Sequence, residues 1–315
     1  MIGFWVNRGA IGLRLIAFCI VSMVPSTQAA EPFGIANGER IVLVGGTYIE
    51  RDVRYGCIET LMTAHFSDHQ LIFRNLGWSG DEVSGVSRAS FDPVSKGYER
   101  LVQAVKDTKP TVILMQYGQN ESFEGQAGLD SFIKGLTTLL DDVFDTKARV
   151  VLISPFLQEN LGYPLPDPSA QNENVKLYST ALAKVAKDRG HYFVDMTKAL
   201  PVSNTLTKKP RTYNGLHFTE AGSWDVAAAL MKGLGYTPAR SNPEKLKTLR
   251  TAIQEKNRLF FNQWRPQNET YLFGFRKHEQ GKYAEEIPQF DPLIANMEKK
   301  ITAERNRLAS SGKGN

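Results

Sequence analysis

Five short runs of aliphatic and β-branched residues recur along the chain, each followed by a helix-length stretch, and this alternation restricts the fold more than any other feature. The runs are Arg40–Val44 (RIVLV), Leu71–Asn75 (LIFRN), Thr111–Gln116 (TVILMQ), Arg149–Ser154 (RVVLIS) and His191–Asp195 (HYFVD). The stretches between and after them are Ile49–Phe66, Pro93–Asp107, Leu129–Phe144, Asn172–Arg189 and Thr219–Leu234, with Lys109-Pro110 and Arg189-Gly190 punctuating their ends. Strands that are almost continuously apolar are covered on both faces, so the pattern predicts a doubly wound parallel sheet of the α/β class. The Pro-rich segment Gly162–Gln171 follows the fourth strand, where loops of such sheets form the ligand rim.

Outside this α/β region, residues 30–240, lie two segments of different texture. Arg8 and Arg14 accompany an apolar run, Leu15–Val24, too short for an ordinary membrane span, and small residues surround Ala29. The pattern predicts a signal peptide over residues 1–29, cut after Ala29, and hence a secreted or periplasmic protein with no stable membrane insertion after cleavage. Retention as an uncleaved anchor is the alternative. Cys19 follows the bulky Phe18, which disfavours a lipoprotein signal. Residues 241–315 form a basic extension, 14 Lys and Arg against nine Asp and Glu, with helices expected over Pro243–Trp264 and Pro292–Leu308. An aromatic stretch carrying Phe260, Phe261, Trp264, Tyr271, Phe273, Phe275 and Tyr283 is expected to pack on the α/β domain rather than to bind a partner, and the tail after Ala309 to be disordered.

At 42% apolar residues the chain can bury a sizeable core, so disorder does not describe the whole. Loss of the leader lowers the formal charge from +5 to +3, too little to argue for nucleic acid. Cys57 is then the sole cysteine, so no intrachain disulfide can form. His65 and His69 have the i,i+4 spacing of a helical metal site but lack a third ligand nearby, and surface roles are expected for them and for His278. No metal and no cofactor are expected.

The strand ends carry the chemistry. The first runs into Gly45-Gly46-Thr47, the second into Gly77-Trp78-Ser79-Gly80-Asp81, the third into Gly118-Gln119-Asn120-Glu121, and Asn214-Gly215-Leu216-His217 follows the fifth. A hydroxyl at a glycine turn, an unobstructed glycine N–H, a carboxamide and an imidazole together compose an acyl-transfer site. Thr47 would attack a carbonyl and His217 would take its proton. The oxyanion would be held by Gly80 N–H, the Asn120 carboxamide and Thr47 N–H. Each residue also has a bland reading: Thr47 as a helix cap, the glycines as turn formers, Asn120 in an Asx-turn.

In order, these blocks resemble those of the SGNH or GDSL-like hydrolases: Gly45-Gly46-Thr47 stands where that family has Gly-Asp-Ser, Asn75–Asp81 fits Asn-x-Gly-x-x-Gly-Asp, Gly118–Glu121 fits Gly-x-Asn-Asp/Glu, and Asn214–His217 fits Asp-x-x-His in part. The resemblance covers roughly residues 38–235 and implies a three-layer α/β/α, flavodoxin-like fold with a C-terminal helical extension, and an ester-hydrolase crevice.

Two positions depart from the family. Thr47, whose added methyl restricts its rotamers, stands in place of the family's nucleophilic serine. The residue that orients His217 is Asn214, whose carbonyl oxygen can accept Nδ1–H but cannot offset the charge of an imidazolium. Glu220, Asp81 and Glu121 are candidate surrogate acids, and Ser79 is the second candidate nucleophile, otherwise bonded to backbone or to Asn75. The expectation is a hydrolase of small acyl-ester or carbohydrate-ester substrates, O-acetyl groups among them, working through a degenerate Thr-His-Asn site. The alternative is a catalytically impaired member that binds a ligand or a partner.

Overall fold

The computed structural model describes residues 1–3, 31–202, 209–238, 243–279 and 283–312. The expected leader falls almost wholly on residues 4–30 and lies outside the described residues, as do the last three residues of the tail.

Among the described residues five strands form one sheet: β1 (Arg40–Gly45), β2 (Ile72–Asn75), β3 (Val112–Gln116), β4 (Arg149–Ile153) and β5 (Tyr192–Val194). All pair in parallel in the order β2-β1-β3-β4-β5. The helices of the α/β domain are α1 (Thr47–Tyr55), α2 (Cys57–His65), α3 (Val94–Asp107), α4 (Gly125–Asp142), α5 (Ser169–Arg189), α6 (Met196–Ala199) and α7 (Glu220–Gly233). The alternation along β1 separates two cores. Ile41 and Leu43 face α1, α2 and α7, whereas Val42 and Val44 face α3, α4 and α5. The result is the three-layer α/β/α arrangement, and its strand order reverses between β1 and β3, where such sheets bind ligands.

The helix expected over Ile49–Phe66 is two. Gly56 adopts the left-handed conformation (φ 62°) and ends α1, and a Cβ there would lie 3.0 Å from Ile253 of the extension. The Pro-rich loop gives way to α5 at Ser169, and residues 162–168 do not line the crevice described below.

The extension forms α8 (Lys247–Trp264), α9 (Glu269–Leu272) and α10 (Phe290–Gly312), so the chain is helical through positions 310–312, where disorder was expected. The described residues from Pro32 onward form one compact unit. Leu249, Ile253 and Ile301 join α8 to α10, while Leu259 and Phe260 enter the core on the α3–α5 side of the sheet. Phe260, Phe261 and Trp264 lie in the last turns of α8. Phe273, Phe275 and Tyr283 are exposed instead of packed on the α/β domain. A buried ion pair ties the parts together: Lys256 donates to Glu59 at 2.7 Å and to the Phe73 carbonyl at 3.1 Å. Cys57 is a buried free thiol.

His65 is half-buried against Phe66 and Tyr236, contrary to a surface role. His69 pairs with Asp68, and His278 is exposed. No helix among the described residues is long and apolar enough to cross a membrane.

Candidate active site

The C-terminal ends of β1 and β3 border a narrow crevice of about 80 Å³. Thr47, Asn120 and His217 all line it, and Tyr48, Phe156 and Phe218 give it an aromatic wall of edge-on contacts. Thr47 is the first residue of α1. Gly46 occupies the cap position, so the hydroxyl of Thr47 does not cap the helix. Thr47 Oγ1 accepts the Gly80 N–H at 3.0 Å, which brings the proposed attacking atom against one of the expected oxyanion donors. The Asn120 carboxamide donates to the Asp81 carbonyl at 3.4 Å and borders the same space.

The loop carrying Gly80 is set by its neighbours. Asn75 accepts Gly77 N–H at 2.9 Å and donates to the Ile49 carbonyl at 2.7 Å, pinning the loop to α1. Contact there is so close that a Cβ on Gly77 would stand 2.2 Å from Glu50 N, and only glycine fits. Ser79 bonds to neither backbone nor Asn75: its hydroxyl donates to Glu50 Oε1 at 2.8 Å and its N–H to Oε2 at 2.7 Å. Glu50 in turn pairs with Arg265, the residue following α8, at 2.5 Å. The Arg265 guanidinium lies 3.5 Å from the centroid of the Trp78 ring, so the extension grips this loop from outside.

The histidine loop is held by a residue that the motifs did not single out. Buried Glu159, beyond β4, accepts the N–H groups of Arg211 and Thr212 and the Thr212 hydroxyl, and its own N–H donates to the Gly215 carbonyl. A lone acid in a loop with no motif around it gives no sequence signal of this duty.

Asn214 meets His217 differently from expectation. Its carbonyl oxygen is occupied by two backbone donors, His217 N–H at 2.9 Å and Leu216 N–H at 3.3 Å. Its amide nitrogen therefore faces His217 Nδ1, at 3.0 Å. An amide donates, so Nδ1 is the acceptor, and a neutral ring then carries its proton on Nε2. Burial lowers the His217 pKa below its ordinary value and the Arg51 charge adds to the effect, favouring the neutral ring. No hydrogen bond joins His217 to Thr47.

The three candidate surrogate acids are engaged elsewhere. Glu220 pairs with Arg250 at 2.5 Å. Asp81 is buried with Arg88 at 2.8 Å and accepts the Tyr117 hydroxyl, although burial still holds its pKa above the ordinary carboxylate value. Glu121 accepts the N–H groups of Val83 and Gly118, and burial outweighs those bonds to push it up to about 7.

Residues 53–224 match the GDSL-like Lipase/Acylhydrolase family. The chain belongs to that family. The matched segment of this GDSL-like protein takes in the Gly80 loop, Asn120 and His217, while Thr47 precedes it. No curated protein matches the chain in sequence. Among solved structures, an acetylxylan esterase from Geobacillus stearothermophilus is similar at 17% identity over 66% of this chain and 99% of that one, with a TM-score of 0.49. A gut microbial diltiazem-metabolizing enzyme is similar at 16% identity over 64% of this chain and 48% of that one, with a TM-score of 0.50. At such identities the likeness is one of fold.

Proposed function

We propose that this GDSL-like protein takes small acyl esters, O-acetyl groups on carbohydrate among them, into the crevice and hydrolyses them slowly, with Thr47 as nucleophile, His217 as base, Asn214 as its orienter, and Gly80 and Asn120 as oxyanion donors. The observation that carries this reading is the meeting of Thr47 Oγ1 with Gly80 N–H at the edge of a crevice that Asn120 and His217 also line. Its volume is well below the roughly 300–1,000 Å³ of pockets for drug-sized ligands, which suits a short acyl group.

Turnover is slow in this reading because the base is in the wrong tautomer. Attack by Thr47 requires a lone pair on His217 Nε2, and the Asn214 amide favours a proton there. The same observation favours a second reading, in which the crevice holds an ester without cleaving it.

Turnover of p-nitrophenyl acetate tests the two. The hydrolase reading expects slow release that Thr47→Ala and His217→Ala abolish, and a faster rate in the Thr47→Ser, Asn214→Asp double variant. The serine-protease precedent for an Asp-to-Asn change, about 10⁴ in kcat, bounds that gain. A folded double variant no faster than His217→Ala rules out hydrolysis, and protection of the wild type from thermal unfolding by acetyl esters then decides for binding.

We also propose export, supported by the basic, apolar and small-residue pattern of residues 1–29. Intact mass of protein recovered from envelope or medium should begin at Ala30, and a full-length chain held in the membrane fraction contradicts this.

A further inference from the structure

Arg51 lines both the crevice and a second, larger groove of about 670 Å³ between α1 and α8. Half-buried Phe261 and the almost wholly buried Tyr55 line that groove. Its charges do not balance. Glu50 is taken by Arg265 and Ser79, and Glu255 is taken by Arg258 at 2.7 Å. Arg51 and Arg54, also on the groove, form no side-chain ion pair or hydrogen bond among the described residues.

The two guanidiniums are three residues apart on α1, hence on one side of it, where like charges repel by a few tenths of a kcal/mol. Arg51 sits one helical turn beyond Thr47, and its field reaches His217 on one side and the Tyr55 phenol on the other. Two cations that neighbouring acids leave uncompensated, beside a crevice too small for more than a short acyl group, are placed to meet what lies outside the crevice.

We propose that this groove is a subsite for an acidic sugar: a carboxylate or sulfate on the ring that bears the ester is held by Arg51, with Arg54 behind it, while the ester enters the crevice. This rests on the ester-binding reading above. Guanidinium forks match both anions bidentately, and the half-buried Phe261 ring offers an apolar surface to the sugar.

Calorimetric titration of the full mature chain at low salt with three acetylated probes tests the subsite: methyl glucuronoside, methyl glucoside and methyl glucoside 6-sulfate. The acidic probes should bind about tenfold more tightly than the neutral one. That preference should shrink with added salt, collapse in Arg51→Ala, weaken in Arg54→Ala, and return only in part in Arg51→Lys, which keeps the charge without the fork. The tighter of the two acids identifies the anion. Equal binding of neutral and acidic probes, or a preference that survives Arg51→Ala, overturns the subsite and leaves the ester reading standing. Binding of none of the three acetylated probes overturns both.

Discussion

The Asn214 amide donates to His217 Nδ1 at 3.0 Å because the Asn214 carbonyl is already claimed by the backbone N–H of that same histidine. A carboxylate at position 214 would keep the backbone bonds with one oxygen and accept from Nδ1–H with the other. Asn214→Asp should therefore move the ring proton from Nε2 to Nδ1 and raise the His217 pKa by adding an opposite charge. Nitrogen chemical shifts of the imidazole across a pH titration check both effects. An unchanged tautomer in the variant would show that Asn214 does not set it.

The stack of Arg265 on Trp78, with Glu50 beneath, braces the loop that presents Gly80. Arg265→Ala should cost about 1–2 kcal/mol, roughly 2–6 °C in Tm, and speed amide exchange at Gly80 about tenfold. Arg265→Lys keeps the charge toward Glu50 and loses the flat stacking surface, so it should restore part of the protection. If Gly80 exchanges at the wild-type rate in Arg265→Ala, the loop holds itself.

Asp52 is buried on α1, and burial pushes it up to about 7 despite hydrogen bonds from the Cys57 and Ile58 amides. With its folded pKa above the unfolded value, it favours the fold at low pH, and that contribution is lost as pH rises from about 4 through about 7. Asp52→Asn should remove this part of the pH dependence, narrowing the difference in Tm between pH 5 and pH 8. Melting curves at the two pH values are the check, and an undiminished difference assigns it to other groups such as Glu121.

Lys256 neutralises Glu59 inside the seam between α2 and α8. Lys256→Met should cost about 3–5 kcal/mol by leaving a buried carboxylate without its partner, whereas the Lys256→Met, Glu59→Leu pair should recover most of the loss. Urea unfolding of the three proteins measures this. A double variant as unstable as the single one would trace the cost to packing rather than to charge.

The strands were legible in the sequence to within a residue because each is an apolar run bounded by polar turns. The break at Gly56 was not, since helix-forming residues run on from α1 into α2 and the side chain packed closest against the turn, Ile253, lies almost two hundred residues away. The crevice residues were visible as motifs at successive strand ends. What the motifs could not show was direction: an asparagine carries both a donor and an acceptor, and only the backbone around His217 decides which one meets the ring. Nor could composition show that Asp81 is spent on Arg88, or that Glu159 anchors the histidine loop, because those partners are set by tertiary packing.

The buried ammonium of Lys256 has a consequence for how molecules of this protein meet one another. β2 is an outer strand of the sheet, and such strands offer unpaired backbone groups to a neighbouring chain. The Phe73 carbonyl on β2 is instead satisfied by Lys256 and by Arg74 at 2.8 Å. Helix α8 thus guards the sheet against growth by strand addition, and a chain trimmed of residues 241–315 would carry an open seam along which copies could zip together.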